Sequence, residues 1–160
     1  MIIIGIDPGA NRMGWAILKG NSQSIKSIDF GCWEIQGEDQ GERLLQLSKN
    51  LNSLIKKYKP DYLAVEEVFF FKNAKTAMKT SEVKGVVLLS SRKNNVKSIV
   101  LTPLEIKSKV VGYGRADKKE VQKAVTSFFN LKEIPQPDDA ADALAVALAG
   151  IIKISKTSKL

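Results

Sequence analysis

Histidine is absent from this chain, and cysteine occurs once, at Cys32. The first absence removes Ser-His-Asp and Cys-His nucleophilic catalysis, imidazole general-base chemistry and histidine-ligated zinc. The second removes an intramolecular disulfide and any Cys-x-x-Cys metal site, and it suits a reducing compartment. Cys32 itself reads as a small strand or core residue. Long apolar runs are missing too. No stretch reaches the roughly 20 residues needed to span a bilayer, and Met1 leads straight into a strand-like run without the charged region of a signal peptide. Acidic charge is scarce relative to basic: 17 Asp and Glu stand against 25 Lys and Arg, a formal net charge of +8. That balance favours a polyanionic partner, nucleic acid ahead of an anionic membrane surface. For hydrolytic chemistry the chain is left with carboxylates, lysines and bound hard metal ions.

A length of 160 residues suits one domain with its own core. Residues 2–6 form a continuous apolar run, the pattern of a central strand covered on both faces. Asp7-Pro8-Gly9 is turn chemistry. Residues 13–19 and 24–35 read as strands joined at Gly20-Asn21, an antiparallel meander. From Glu42 the spacing turns helical, with Leu44, Leu47, Leu51, Leu54, Ile55 and Tyr58 on one face. Residues 62–66 supply a fourth strand. A second long helix is expected over 74–91, with Ala77, Met78, Gly85, Leu88 and Leu89 among its apolar positions, and a fifth strand over 98–101. Thr102-Pro103-Leu104-Glu105 opens a helix with a capping box. Asp117 to Glu120 repeats that logic for a helix whose inner face is read as Val121, Ala124, Val125 and Phe128. The last helix starts near Asp138 and is expected to end near Ile152. The fold class is therefore α/β: a mixed five-stranded sheet, three antiparallel strands followed by parallel ones, flanked by helices. One domain is expected over 1–153, with a basic, flexible tail over 154–160.

Four acids stand beside apolar runs, where an isolated carboxylate is costly to desolvate. Asp7 and Glu66 fall at the carboxyl ends of buried strands, the side on which open α/β sheets gather ligands. Asp139 and Asp142 are three apart at the start of a helix and share a face. Each has an ordinary reading alone: a turn aspartate, a solvated strand end, an N-terminal helix charge pair. Together they repel, two charges ~6 Å apart by roughly 3 kcal/mol at an effective dielectric of ~20, unless a cation lies between them. With only oxygen donors on offer, that cation is Mg²⁺ or Mn²⁺. Two such ions ~3.5–4 Å apart suit phosphodiester hydrolysis.

Five blocks then identify a family. Ile4-Gly-Ile-Asp7-Pro-Gly9, Pro60-Asp-Tyr-Leu-Ala-Val-Glu66-Glu-Val-Phe69, Lys72-Asn-Ala74, Val110-Val-Gly-Tyr-Gly114 and Asp139-Ala-Ala-Asp142-Ala-Leu-Ala145 closely resemble the bacterial RuvC Holliday junction resolvases, in order and across essentially the whole chain. The resemblance implies an RNase H-like fold and a cytoplasmic homodimer, nucleoid-associated when acting. It implies a structure-specific endodeoxyribonuclease that resolves four-way DNA junctions in recombination and repair. Paired symmetric nicks would leave ligatable 5′-phosphate ends, with two Mg²⁺ ions per site or Mn²⁺ in their place. It also implies work alongside the RuvA and RuvB branch-migration motor complex. By it Asp7, Glu66, Asp139 and Asp142 match the four metal-binding catalytic acids. Helix geometry alone accepts Asp138 as readily as Asp139; the family pattern selects Asp139 and leaves Asp138 as the helix cap. Likewise the spacing of the second block selects Glu66 over Glu67.

The basic and aromatic residues divide similarly. Phe69, Phe70 and Phe71 follow the second acid, and three adjacent aromatics in one loop cannot all face one core. By resemblance Phe69 is the aromatic that stacks on a base at the crossover. Lys72, Lys75, Lys79 and Lys84 follow, either reaching DNA or forming a solvated face. Lys107 and Lys118 match basic positions near the scissile phosphate. The second helix either forms the dimer seam, as its family counterpart does, or is buried against its own sheet. Three rivals remain in view. An actin- or hexokinase-like ATPase would need a second lobe. A non-catalytic junction-binding module would not need all four acids. An RNase H-type ribonuclease would lack the five blocks.

Overall fold

The computed structural model describes residues 1–21, 23–69 and 74–157. Five strands, β1 (Ile2–Pro8), β2 (Arg12–Gly20), β3 (Ile25–Glu34), β4 (Tyr62–Glu66) and β5 (Lys97–Leu101), form one sheet of order β3-β2-β1-β4-β5. The β1–β2 and β2–β3 pairs are antiparallel, while β1–β4 and β4–β5 are parallel. The helices are α1 (Gln40–Tyr58), α2 (Ala74–Lys93), α3 (Pro103–Val110), α4 (Lys118–Phe128) and α5 (Asp138–Thr157).

The central strand feeds two cores. Ile4 and Ile6 join Leu47, Leu51, Val83 and Val87 of α1 and α2 on one face of the sheet. Ile3 joins Leu144, Ala147 and Leu148 of α5 on the other. Strand residues alternate faces, so Gly5 and Asp7 share the α5 side with Ile3. That seam is unusually close. A Cβ on Gly5 would lie 2.4 Å from the Ala143 carbonyl oxygen, and one on Gly14 would lie 2.0 Å from that of Asp139. The alanine-rich helix thus rests almost backbone to backbone on glycine positions of β1 and β2, which brings its first turn down onto the end of β1.

Several boundaries differ from the sequence reading. Pairing of β1 with β2 continues through Asp7↔Gly14 and Pro8↔Met13, so the turn begins at Gly9 rather than at Asp7. Pro8 is tolerated because it ends the strand. Asp138 is the first residue of α5 and not its cap; its carboxylate binds Lys118 instead. On α4 the buried residues are Val121, Gln122 and Val125, while Phe128 is exposed and stacks edge-on against Phe129. The helix therefore turns a polar residue inward and an aromatic outward. Finally, α5 extends to Thr157, since Ile152 and Ile154 still pack on the core and Lys153 pairs with Glu105 at 2.8 Å.

Both expected capping boxes are present, Thr102 with Glu105 and Asp117 with Glu120. Glu105 is held below its ordinary value by Lys153 first and the Thr102 amide second. A depressed folded value adds stability above the unfolded pKa and loses it as pH falls through the folded one. Glu105→Gln should therefore lower the urea midpoint at pH 7, modestly because the pair is half-exposed. The gap from wild type should close in acid below 4.5, as urea titrations at the two pH values will measure.

Candidate active site

Asp7, next to last in β1, and Glu66, last in β4, stand at the carboxyl ends of adjacent parallel strands, and Asp139 and Asp142 lie on the first turns of α5. Burial pushes the Asp7 carboxyl well above the usual aspartate range, and the charges of Glu66, Asp142 and Asp139 push it further. Glu66 is raised by burial first and then by Asp142, while its hydrogen bond to Asp7 works the other way. Burial also raises Asp142, against the pull of Lys118 and Gln122. The neighbouring Glu67 turns the other way, onto Lys84 of α2, and is lowered by that bond.

Lysine Nζ of residue 118 lies 2.5 Å from Asp138 Oδ2 and 2.9 Å from Asp142 Oδ2. Partial burial works against this ammonium, but the two carboxylates more than offset it and raise its pKa. Gln122 donates Nε2 to Asp142 Oδ1 at 3.3 Å, and Arg12 Nη1 stands 3.9 Å from Asp139 Oδ2. A cavity of about 200 Å³ is lined by Glu66, Lys107, Lys118 and Asp142 together with apolar Pro103, Ile106, Val121, Ala145 and Val146. Cys32, opposite Gly14, has its thiol pushed up to about 11, by burial first and by Asp139 next. It is no nucleophile at neutral pH.

The fold thus draws Asp7, Glu66, Asp139 and Asp142 within electrostatic reach of one another, with Glu66, Asp142, Lys107 and Lys118 lining one crevice. The four acids offer only hard oxygen donors in mutual repulsion, a set suited to divalent Mg²⁺ or Mn²⁺. Among the described residues no three acids are grouped closely enough to hold a metal ion; Asp142 bonds Lys118 and Gln122, and Asp139 faces Arg12. Phe69 is exposed beyond β4, and Lys75 is exposed on the first turn of α2. Phe70, Phe71 and Lys72 lie outside the described residues. Gln122 and Arg12 were not singled out from sequence. Gln122 lies four residues after Lys118 on the same helical face, which was the available signal; for Arg12 only the fold supplies one.

Acids at the ends of the two central parallel strands and on the helix crossing them define an RNase H-like nuclease. The family model of crossover junction endodeoxyribonuclease RuvC matches residues 3–150. Relatives of that name from Caldicellulosiruptor saccharolyticus and Clostridioides difficile are 45% and 44% identical, covering 97% and 99% of this chain and 95% and 96% of their own. A solved structure of T. thermophilus RuvC in complex with Holliday junction substrate superposes with a TM-score of 0.91 at 28% identity, over 99% of this chain and 97% of that one. The chain belongs to the RuvC family. It is a DNA endonuclease, and family membership carries dependence on a divalent metal. No helix among the described residues is long and apolar enough to cross a membrane.

Proposed function

We propose that this protein resolves four-way DNA junctions by hydrolysing one phosphodiester in each of two strands of like polarity, with Asp7, Glu66, Asp139 and Asp142 as its metal ligands. The convergence of these four acids beside Lys107 and Lys118 carries the reading. When bound, two Mg²⁺ or Mn²⁺ ions would supply Lewis acidity to the phosphodiester and stabilise the leaving oxygen. Lys107 and Lys118 neutralise the phosphate from the α3 and α4 side. Gln122 keeps Asp142 oriented when Lys118 turns from it to DNA. Phe69 stacks on a base at the crossover, and Lys72 and Lys75 hold the flanking backbone.

Two sites related by a dyad account for symmetric nicking, so the protein works as a homodimer. The exposed Met78 and Leu89 of α2, with open space above Gly85, offer the seam. The enzyme acts in the cytoplasm at the nucleoid, together with the RuvA and RuvB motor complex.

A synthetic four-way junction incubated with Mg²⁺ should yield paired nicks at symmetric positions in opposing strands, with ends that ligase seals. Junction affinity should fall steeply with salt: six or so phosphate contacts imply a loss of roughly 10³-fold between 50 and 200 mM. Unpaired random nicks, or affinity flat across that range, would count against the reading.

A further inference from the structure

The turn that follows Asp7 is fastened from outside the sheet. Arg43, in the first turns of α1, donates Nη2 to the Ala10 carbonyl at 3.0 Å and to Asn11 Oδ1 at 2.9 Å. The Ile35 amide donates to the Asn11 carbonyl at 2.8 Å. Arg43 is itself firmly seated. Its amide donates to the Asp39 carbonyl at 3.2 Å, and the Asp39 side chain caps the helix through the Glu42 amide at 2.9 Å. Gly37 lies so close that a Cβ there would come within 2.7 Å of the Arg43 amide nitrogen. Arg43 Nε is buried without a hydrogen-bond partner, so the guanidinium's grip on the turn is concentrated in Nη2.

The end of β1 needs such a fastening. Its pairing with β4 stops at Ile6↔Val65, while its pairing with β2 runs on through Asp7↔Gly14 and Pro8↔Met13. Asp7 therefore sits on a strand end supported from one side only. Arg12, the next residue after the turn, is the one that faces Asp139. A displacement of about 1 Å at a reacting centre can cost ~10²-fold in rate.

We infer that Arg43 is a positioning residue for cleavage: by holding Ala10 and Asn11 it fixes the turn, and through the turn the setting of Asp7 and the reach of Arg12 toward Asp139. This rests on the nuclease reading above. Lysine at the same place would present a flexible point charge in place of a planar fork, so it should restore only part of the effect.

Amide hydrogen exchange and single-turnover cleavage of a four-way junction, with protein saturating and Mn²⁺ present, test this on Arg43→Ala and Arg43→Lys. For Arg43→Ala, exchange in the peptide spanning residues 7–15 should accelerate about tenfold, with α5 unchanged. The cleavage rate should fall ~10- to 100-fold, with junction Kd within about threefold. Arg43→Lys should fall between, and it serves alone if the alanine variant does not fold. Three results would overturn the inference: unaltered exchange in the turn, faster exchange spread evenly over the chain, or a rate loss that vanishes at saturating protein, which would make Arg43 a DNA contact. Wild-type protein that makes no paired nicks, while exchange in the turn still responds to the substitution, would sink the nuclease reading and leave the anchoring standing.

Discussion

Asp7→Asn should lower the single-turnover cleavage rate of a four-way junction by about 10³-fold or more, equivalent to ~4 kcal/mol of activation free energy, without weakening binding. The substitution keeps the side chain's size and removes the charge at the centre of the acid cluster, where Glu66, Asp142 and Asp139 all act on it. One negative charge fewer near the incoming phosphate leaves Kd unchanged or tighter. Equal cutting by both proteins would dismiss the acid assignment. Stability supplies an independent readout. Asp7 is raised in the folded state, so its favourable contribution is complete below the ordinary aspartate value of 3.8 and is lost as pH rises through the folded value. In chelator at neutral pH, above the ordinary aspartate value, the wild type therefore bears a destabilisation at this carboxyl that Asn avoids. Asp7→Asn should melt higher than wild type in chelator, and added Mg²⁺ should narrow that gap because it stabilises only the intact acid set. A wild type that melts higher than the variant in chelator would contradict the electrostatics described above.

The second large effect is expected at Gly14. Its position would place a Cβ 2.0 Å from the Asp139 carbonyl oxygen and 2.6 Å from the adjoining carbon. Both are backbone atoms at the start of α5, which no rotamer change can move aside. Gly14→Ala must lift the first turn of α5 from the sheet, at a cost of ~3 kcal/mol or more. For a domain of this size that is a fall of roughly 6–12 °C in Tm. Asp139 and Asp142 ride on the lifted turn, so cleavage should fall by ~10²-fold even at temperatures where the variant is fully folded. Calorimetry paired with single-turnover kinetics separates the two losses. A variant that melts like wild type would mean that the close seam is not a constraint.

Local patterns made the strands, the helices and both capping boxes legible, because each depends on neighbours in the chain. The apolar run before Asp7, the heptad-like leucines of α1 and the Thr102-Glu105 pair needed no partner from elsewhere. The four acids could be nominated from their costly settings, and Asp139 could be separated from Asp138 only by family pattern. In the fold the two differ plainly, Asp138 being occupied by Lys118 while Asp139 faces Arg12. Facing of α4 was misread since apolarity pointed Phe128 inward. The helix instead presents Gln122 to Asp142, a demand set by α5 across the interface. Arg43 and the turn it grips are separated by 32 and 33 residues, a distance over which spacing says nothing about contact.

The two sides of the sheet differ in compliance. On the α1 and α2 side, leucine, isoleucine and valine side chains span the gap, so volume-conserving exchanges can be absorbed by neighbouring rotamers. On the α5 side, Gly5 and Gly14 meet Ala143, Ala147 and the Asp139 backbone with nothing longer than an alanine methyl between to yield. Mutational drift should therefore accumulate on the first face and be purged on the second. Designers seeking greater heat resistance have room to repack beneath α1, whereas the seam under α5 behaves as a rigid gauge that sets the spacing of the acids.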